Sequence, residues 1–179
     1  KSRPLVCVQG LGFVGAAMCV AVASSKDNQG QCYFDVIGLD LPTKEGNHRV
    51  DSINNGIFPF QNNDKKLTKE LIKSHKQGNL VATTNSDVLK IADIVVIDIH
   101  LDINFRSHPP KANFKNFKKS IIQISQLIKP KTLLVLETTV PPGTCDEIVL
   151  PLLRRGMIKR GLTDKDLYFA HSYERVMPG

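Results

Sequence analysis

The beginning of the chain places a glycine-rich turn between two apolar segments, and this order of elements limits the possible folds. Residues 5–9 (Leu-Val-Cys-Val-Gln) form an apolar run of strand length. Residues 10–15 read Gly-Leu-Gly-Phe-Val-Gly, and residues 16–23 continue as an apolar stretch that predicts a helix. A strand, a Gly-x-Gly-x-x-Gly turn and a helix in this order bind the pyrophosphate of a dinucleotide. The free amides and the dipole at the helix N-terminus favour the anion.

Each glycine of this turn has its own expected role. Gly10 allows the tight turn, Gly12 lets phosphate oxygens approach the backbone, and Gly15 lets the helix pack close to the strand. Phe13 and Val14 lie at the start of the helix, and we expect them to bind the cofactor together with the glycines. The hexapeptide alone also occurs as a simple chain reversal, so the prediction depends on its context.

A carboxylate after the second predicted strand supplies that context. Residues 33–39 (Tyr-Phe-Asp-Val-Ile-Gly-Leu) predict a strand, and Asp40 follows it directly. A carboxylate at this place accepts hydrogen bonds from the ribose hydroxyls and repels a 2′-phosphate, which favours NAD over NADP. The alternative is an ordinary loop carboxylate or helix cap. Asp40 comes later than the usual spacing of about 20 residues, and the polar residues 24–31 indicate a lengthened loop.

Composition narrows the class of protein. The 179 residues suit one domain, at most one and a half, and a hydrophobic content of 41% suffices for a packed core. No apolar run approaches the roughly 20 residues of a membrane span, and no secretory signal precedes the first strand. We expect no membrane association. The cysteines lack metal-ligand spacing, so no metal site is predicted, and a reducing cytoplasm is the expected compartment. Cys7 and Cys19 are expected to be core thiols.

The positive charge of the chain requires a choice between partners. Lys and Arg number 24 against 17 acidic residues, which gives a net charge of +7 and attracts anions. The basic residues are scattered, and several share one face of a predicted helix whose other face is apolar, which indicates a solvated surface. These are Lys111, Lys115, Lys118 and Lys119. Trp is absent and aromatic residues are sparse, so nucleic acid is not an expected partner.

Strands and helices alternate along the whole chain. Strands are expected at residues 5–9, 33–39, 79–83, 92–99, 132–138 and 167–171. Helices are expected at residues 16–23, 49–54, 64–76, 86–90, 113–128 and 145–155, with Ser86 and Thr144 as N-caps and Gly78 as a C-cap. Runs of Val, Ile and Leu without alternation indicate strands covered on both faces. The predicted fold is α/β: a Rossmann-like, doubly wound parallel sheet of about six strands with helices on both faces.

Ligands of such sheets bind outside the carboxyl ends of the strands, which draws attention to two segments. Residues 138–144 (Thr-Thr-Val-Pro-Pro-Gly-Thr) follow the fifth strand, and Thr139 can present its hydroxyl to a cofactor or a water. Residues 170–179 (Ala-His-Ser-Tyr-Glu-Arg-Val-Met-Pro-Gly) follow the sixth. Glu174 and Arg175 are expected near the cofactor, although on composition alone they could form a surface ion pair worth at most ~1 kcal/mol. His171 is expected to be a packed or capping residue.

Four segments together resemble the UDP-glucose/GDP-mannose dehydrogenase family. They are Gly-Leu-Gly-Phe-Val-Gly at 10–15, Ile-Asn-Asn-Gly-Ile-Phe-Pro-Phe at 53–60, Thr-Thr-Val-Pro-Pro-Gly-Thr at 138–144 and Tyr-Glu-Arg-Val-Met-Pro-Gly at 173–179. The likeness covers essentially the whole chain and corresponds to the N-terminal NAD-binding domain of that family. The last segment is closer to enzymes acting on UDP-N-acetylhexosamines, such as UDP-N-acetylmannosamine, than to the UDP-glucose group.

The resemblance implies an enzyme that oxidises the C6 hydroxyl of a UDP-sugar to a carboxylate with two NAD. Thr139 then matches a threonine that helps to place a water and contacts the cofactor, and Glu174 the glutamate that acts as base in thioester hydrolysis. Glu174, Arg175, Val176 and Met177 match a loop that approaches the sugar nucleotide. Arg49 matches a basic residue near the adenosine phosphates. The whole enzyme is expected to be a cytoplasmic homodimer of polysaccharide biosynthesis.

The chain also departs from the family pattern. Residues 99–102 read Ile-His-Leu-Asp where the family has Val-Pro-Thr-Pro, so no residue is assigned a role there, and Tyr173 replaces a proline. Residues 1–179 are expected to be the NAD-binding domain alone, without the central helix and the C-terminal domain that carries the nucleophilic cysteine. The fragment alone is therefore expected to be inactive. The alternatives are a β-hydroxyacid-type NAD(P) dehydrogenase domain and a non-catalytic NAD-sensing module.

Overall fold

The computed structural model describes residues 2–174, which contain one six-stranded parallel sheet and a separate two-stranded hairpin. The strands are β1 (Leu5–Gln9), β2 (Asp35–Leu39), β3 (Leu80–Thr83), β4 (Ile94–Ile97), β5 (Asp102–Asn104), β6 (Lys111–Asn113), β7 (Leu133–Leu136) and β8 (Tyr168–His171). The sheet order is β3-β2-β1-β4-β7-β8, and β5 pairs with β6 in the hairpin. The prediction of a doubly wound parallel sheet is confirmed.

Helices cover both faces of the sheet and complete two apolar cores. They are α1 (Phe13–Ser24), α2 (Lys44–Asn54), α3 (Lys65–Gln77), α4 (Lys115–Leu127) and α5 (Leu150–Ile158). Shorter helical turns lie at Ser86–Lys90, Cys145–Val149 and Asp164–Asp166. One core joins α1, α2 and α3 to the sheet, and the other joins α4 and α5. Cys7 and Cys19 are fully buried, one in each core, as predicted.

The chain reverses its direction of winding at β1, which pairs with β2 on one side and β4 on the other. The loops that follow the adjacent strands β1 and β4 lead to helices on opposite faces of the sheet, so a crevice opens between them at the carboxyl ends. At this crevice the structure places the glycine turn after β1, Asp40 after β2 and Asp98 after β4. The topology thus sets the position of the site before any side chain is considered.

Several local predictions are wrong at the ends of the helices. Helix α2 begins at Lys44, earlier than expected, because the Thr43 side chain accepts a hydrogen bond from the Gly46 amide. The turn predicted to start at Ser86 is capped by Asn85, whose side chain accepts from the Asp87 amide. Thr144 makes no capping hydrogen bond, because its own backbone is already helical (φ −57°, ψ −37°).

Three further predictions concern the surface, and two of them differ from the structure. The hairpin of β5 and β6 was not predicted, because its strands are short and mostly exposed and so show no alternation of apolar residues. His171 is exposed rather than packed or capping, and its ring contacts that of Tyr173. The four lysines expected on a solvated surface are exposed as predicted.

Candidate functional site

A cleft of about 670 Å³ lies at the carboxyl ends of β1, β2 and β4. Its size is within the range of small-molecule and cofactor sites. Six of the predicted cofactor-binding residues line it: Gly10, Gly12, Phe13, Val14, Asp40 and Arg49. The lining also includes Gln9, Leu41, Pro42, Thr84, Ser86, Asp98, His100, Asp102, Asn116, Ser120 and Gln123.

The three glycines of the turn have different surroundings, and these agree with their expected roles. Gly10 adopts a φ of +102°, and a Cβ there would lie 2.0 Å from the Asp98 carbonyl oxygen. A Cβ on Gly15 would lie 1.8 Å from the Gly10 carbonyl oxygen, which is closer than any real contact. A Cβ on Gly12 would meet nothing within 4 Å. Gly10 and Gly15 are therefore required by the fold, whereas Gly12 leaves open space at the cleft.

The first turn of α1 offers amide donors to that open space. The Gly15 amide donates to the Asp98 carboxylate, but the N-cap residue, Gly12, has no side chain with which to cap the helix. Its first turn carries no acidic residue, so the positive end of the helix dipole is not neutralised from within the turn. Unpaired amides at a helix N-terminus beside an uncrowded glycine form a site for a phosphate group.

Asp40 and Arg49 form a pair at the end of the cleft beyond β2. The Asp40 Oδ2 atom lies 3.1 Å from the Arg49 Nη1 atom, and its Oδ1 atom accepts a hydrogen bond from the Leu41 amide. The guanidinium of Arg49 also lies over the ring of Phe60, 5.7 Å from its centroid. Each carboxylate oxygen retains a lone pair for a hydroxyl donor. Arg49 is thus fixed at the carboxylate of the predicted ribose site.

An aromatic cluster holds the entrance of α1 against the segment after α2. The Phe13 ring contacts the rings of Phe58 (5.5 Å between centroids) and Phe60 (5.9 Å). In the sequence, residues 53–60 are distinguished only by their resemblance to a family motif. The structure shows that they support the helix start and the Arg49 side chain by packing.

Three acidic side chains come together at the carboxyl ends of β4, β7 and β8. Burial, with a contribution from the charge of Glu174, raises the pKa of Asp98 to about 6, although a hydrogen bond from the Gly15 amide opposes the shift. Burial, together with the charges of Asp98 and Glu174, raises the pKa of Glu137 to about 7. Glu137 is only 8% exposed, and its Oε2 atom is buried without a hydrogen-bond partner. Asp98 and Glu137 therefore hold protons more readily than ordinary carboxylates.

The two predicted catalytic residues contact each other beside this acidic cluster. The Thr139 hydroxyl donates a hydrogen bond to the Glu174 carbonyl oxygen (2.7 Å), and the Glu174 amide donates to the Glu137 carbonyl oxygen (3.0 Å). Both residues lie outside the set that lines the cleft. The predicted substrate residues Arg175, Val176 and Met177 lie outside the described part of the chain.

Sequence analysis missed several polar residues of the cleft. Asp98 follows a buried strand directly, and that signal could have identified it. Gln9 ends β1 immediately before the glycine turn, where its polar side chain was an available hint. Asn116, Ser120 and Gln123 gave no such signal, because only the packing of α4 brings them to the cleft.

Comparison with known proteins shows which family has this combination of fold and site. The model of the UDP-glucose/GDP-mannose dehydrogenase family, NAD binding domain, matches residues 4–179. The chain belongs to this family. Its segment is the NAD-binding domain, and NAD is the cofactor of the domain. The resemblance stated from four motifs is confirmed, and the family match favours it over the β-hydroxyacid-type and sensor alternatives.

Individual relatives of this family member are distant but cover nearly all of it. A UDP-N-acetyl-D-mannosamine dehydrogenase of Methanocaldococcus jannaschii is 31% identical over 97% of the chain, which spans 35% of that protein. Protein CapL of Staphylococcus aureus is 28% identical over the same share. An NDP-N-acetyl-D-galactosaminuronic acid dehydrogenase structure from Methanosarcina mazei has a TM-score of 0.83 and 25% identity, and covers 100% of the chain and 36% of its own. The chain thus spans about a third of the relatives it matches.

Among residues 2–174, none of the helices combines the length and the apolar character that crossing a membrane requires.

Proposed function

We propose that this chain is the cofactor-binding part of an enzyme that oxidises the C6 hydroxyl of a UDP-sugar to a carboxylate in two NAD-dependent steps. The observation that carries the proposal is the family match over residues 4–179. The fold agrees with it, because the glycine turn leaves open space beside free amides at the start of α1. The relatives named as dehydrogenases of N-acetylated sugar nucleotides favour a substrate of that type, such as UDP-N-acetylmannosamine, over UDP-glucose.

The residues of the cleft fit NAD. The amides at Gly12, Phe13 and Val14 would hold the pyrophosphate, since the open space beside Gly12 allows a close approach to the backbone. Asp40 would accept hydrogen bonds from the adenosine ribose. Arg49 would keep this carboxylate in place through their contact at 3.1 Å, and its guanidinium would also lie near the adenosine phosphates.

NAD, when bound, supplies the hydride acceptor of the oxidation. The contribution of this chain to the chemistry would come from Thr139 and Glu174. Because the Thr139 hydroxyl already donates its proton to the Glu174 carbonyl, its oxygen can accept a hydrogen bond from a water. The Glu174 carboxylate, attached to the same short segment, would remove a proton from that water. Together they would orient the water used in the hydrolytic step.

The remaining parts of the proposal concern the whole protein. We propose that residues 1–179 are one domain of a longer chain, whose further part supplies the nucleophilic cysteine and most of the sugar-binding pocket, and that the whole enzyme is a homodimer. Glu174, Arg175, Val176 and Met177 would approach the sugar nucleotide from this domain. The share of about 35% that the chain covers of its relatives supports this division.

The experiment that tests the proposal uses the protein encoded by the complete reading frame. Purified protein is incubated with NAD and UDP-N-acetylmannosamine or UDP-glucose, and NADH is measured together with the acidic sugar product. We expect two NADH for each sugar oxidised. Glu174→Gln should lower the rate and leave the affinity for NAD unchanged, because it touches only the hydrolytic step. A product ratio of one NADH for each sugar, or no oxidation of any UDP-sugar by folded protein, would contradict the proposal.

A further inference from the structure

Helix α4 presents a stripe of neutral polar side chains to the cofactor cleft. Asn116, Ser120 and Gln123 all line the cleft, and their spacing places them on one face of the helix. The neighbouring face of the same helix is buried in the core through Phe117, Ile121 and Ile124. These buried apolar residues therefore fix the position of the polar stripe relative to the sheet.

The polar side chains of the stripe, and one buried amide oxygen beside it, have no hydrogen-bond partner within the described residues. Within residues 2–174, the side chains of Asn116, Ser120 and Gln123 make no hydrogen bond to another residue. Gln9 lies at the end of β1 in the same cleft, is only 6% exposed, and its Oε1 atom is buried without a partner. A buried amide that lacks a partner costs free energy, so a ligand that supplies the missing hydrogen bond would explain its presence.

The order of groups along a dinucleotide indicates which part would reach this stripe. If the pyrophosphate lies at Gly12 and the ribose at Asp40, the base attached to that ribose occupies the rest of the same cleft. Leu41 and Pro42 supply an apolar surface there, and the α4 stripe with Thr84 and Ser86 supplies hydrogen-bonding groups. An apolar surface combined with polar groups at the rim suits a flat heteroaromatic base.

Charge argues against a second phosphate at the stripe. Its three side chains are neutral, whereas phosphates are bound by cations or by unpaired backbone amides. Two further titratable residues line the cleft: His100, on the segment after β4, and Asp102, the first residue of β5, whose side chains lie 3.6 Å apart. The remaining charged residues of the cleft lining are Asp40, Arg49 and Asp98.

We propose that Ser120 and Gln123 of α4, with Gln9 at the floor of the cleft, recognise the hydrogen-bonding edge of the adenine base. The inference rests on the proposed binding of NAD and adds the residues that distinguish the base. A carboxamide matches adenine, because its oxygen accepts from the exocyclic N6 amino group and its amino group donates to a ring nitrogen. Hypoxanthine carries an oxygen in place of the amino group, so the same carboxamide oxygen would face a second acceptor.

The test compares NAD with nicotinamide hypoxanthine dinucleotide, which differs only in that base, by isothermal titration calorimetry. The wild-type chain should bind the hypoxanthine analogue about 10-fold more weakly, as expected for one unpaired polar contact. In the double variant Ser120→Ala/Gln123→Ala, NAD should bind about 10-fold more weakly and the preference for adenine should decrease to what Gln9 alone provides. Gln126→Ala changes the same residue type on the exposed side of α4, outside the cleft lining, and should bind both dinucleotides as the wild type does.

Thermal unfolding without ligand shows whether each variant is folded before its affinity is compared. Equal affinity of the wild type for both dinucleotides, or unchanged NAD affinity in the folded double variant, would overturn the inference and leave the proposed binding of NAD intact. Failure of the folded wild-type chain to bind NAD at all would overturn both. The two failures are therefore distinguishable in the same set of titrations.

Discussion

Replacement of Gly12 by alanine should separate cofactor binding from folding. The backbone of Gly12 has φ −59° and ψ −177°, a conformation that alanine adopts without strain. The added Cβ would meet no atom of the described structure within 4 Å. It would instead project into the space that we assign to the pyrophosphate. The variant should therefore fold normally and bind NAD poorly.

The expected magnitudes follow from two separate effects. An alanine at a compatible backbone position gains about 0.4–1 kcal/mol by restricting the unfolded chain, and it is a poorer N-cap than glycine by a similar amount. The free energy of unfolding without ligand should therefore change little. Loss of one hydrogen bond to a charged phosphate costs about 1.5–3 kcal/mol, which weakens NAD binding roughly 10- to 150-fold.

The assay is thermal unfolding with and without NAD, at a concentration of about 100 times the wild-type dissociation constant. Wild-type protein should gain about 2.7 kcal/mol from the ligand, which corresponds to a rise in Tm of roughly 5–10 °C for a chain of this size. If its affinity falls 100-fold, Gly12→Ala should gain about 0.4 kcal/mol and shift by roughly 1 °C.

Gly15→Ala is the matched comparison in the same turn. Its Cβ would lie 1.8 Å from the Gly10 carbonyl oxygen, so the backbone would have to move apart. This variant should lose stability without any ligand, by 1–3 kcal/mol or more. If NAD raises the Tm of Gly12→Ala as much as it raises the Tm of the wild type, the reasoning is refuted, because no phosphate would then approach this residue.

The other predictions concern pH, cofactor choice and the sheet edge. The pKa of Glu137, raised to about 7, means that the folded chain binds the proton more tightly than the unfolded chain. The free energy of unfolding of the wild type should therefore fall as pH rises from about 4.5 to 7. In urea titrations, the free energy of unfolding of Glu137→Gln should exceed that of the wild type by about 3 kcal/mol at pH 8 and equal it at pH 4. Equal pH profiles for the two proteins would contradict this expectation. Wild-type protein should be stabilised more by NAD than by NADP in a thermal-shift titration, and Asp40→Ala should narrow the difference by removing the charge that repels a 2′-phosphate. Stronger stabilisation of the wild type by NADP would show that Asp40 is assigned wrongly. The side chain of Asn54 exchanges two hydrogen bonds with the backbone of Ala82 on the edge strand β3, at 2.9 and 2.7 Å. Asn54→Ala should cost about 1–3 kcal/mol, measured by chemical denaturation, and an unchanged midpoint would show that solvent replaces both bonds.

The pH prediction also bears on the proposed site. Asp98 is held at the glycine turn by a hydrogen bond from the Gly15 amide, and Glu137 lies near Asp98 and Glu174. Their raised pKa values mean that protonation near neutral pH lowers the negative charge beside the place assigned to the pyrophosphate. NAD affinity, measured by isothermal titration calorimetry at a series of pH values, should therefore decrease as pH rises from about 6 to 7, and a constant affinity over that interval would contradict this expectation.

The sequence by itself determined the features that depend on neighbouring residues. The glycine turn, the carboxylate after the second strand and the alternation of strands with helices all follow from spacing and residue type within short segments. They were sufficient for the parallel sheet and the dinucleotide crevice. Boundaries such as the start of α2 were less well predicted, because the capping bond from the Gly46 amide to Thr43 outweighed a weak apolar pattern.

Only the tertiary structure decided which distant side chains share the site. Gln9 and Gln123 meet in one cleft because α4 packs on the face of the sheet that β1 and β4 share. Asp98 and Glu137 influence each other because β4 and β7 are neighbours in the sheet. Periodicity records which face of each element is buried, but the order of strands fixes which loop ends meet, and that order arises from packing over the whole domain.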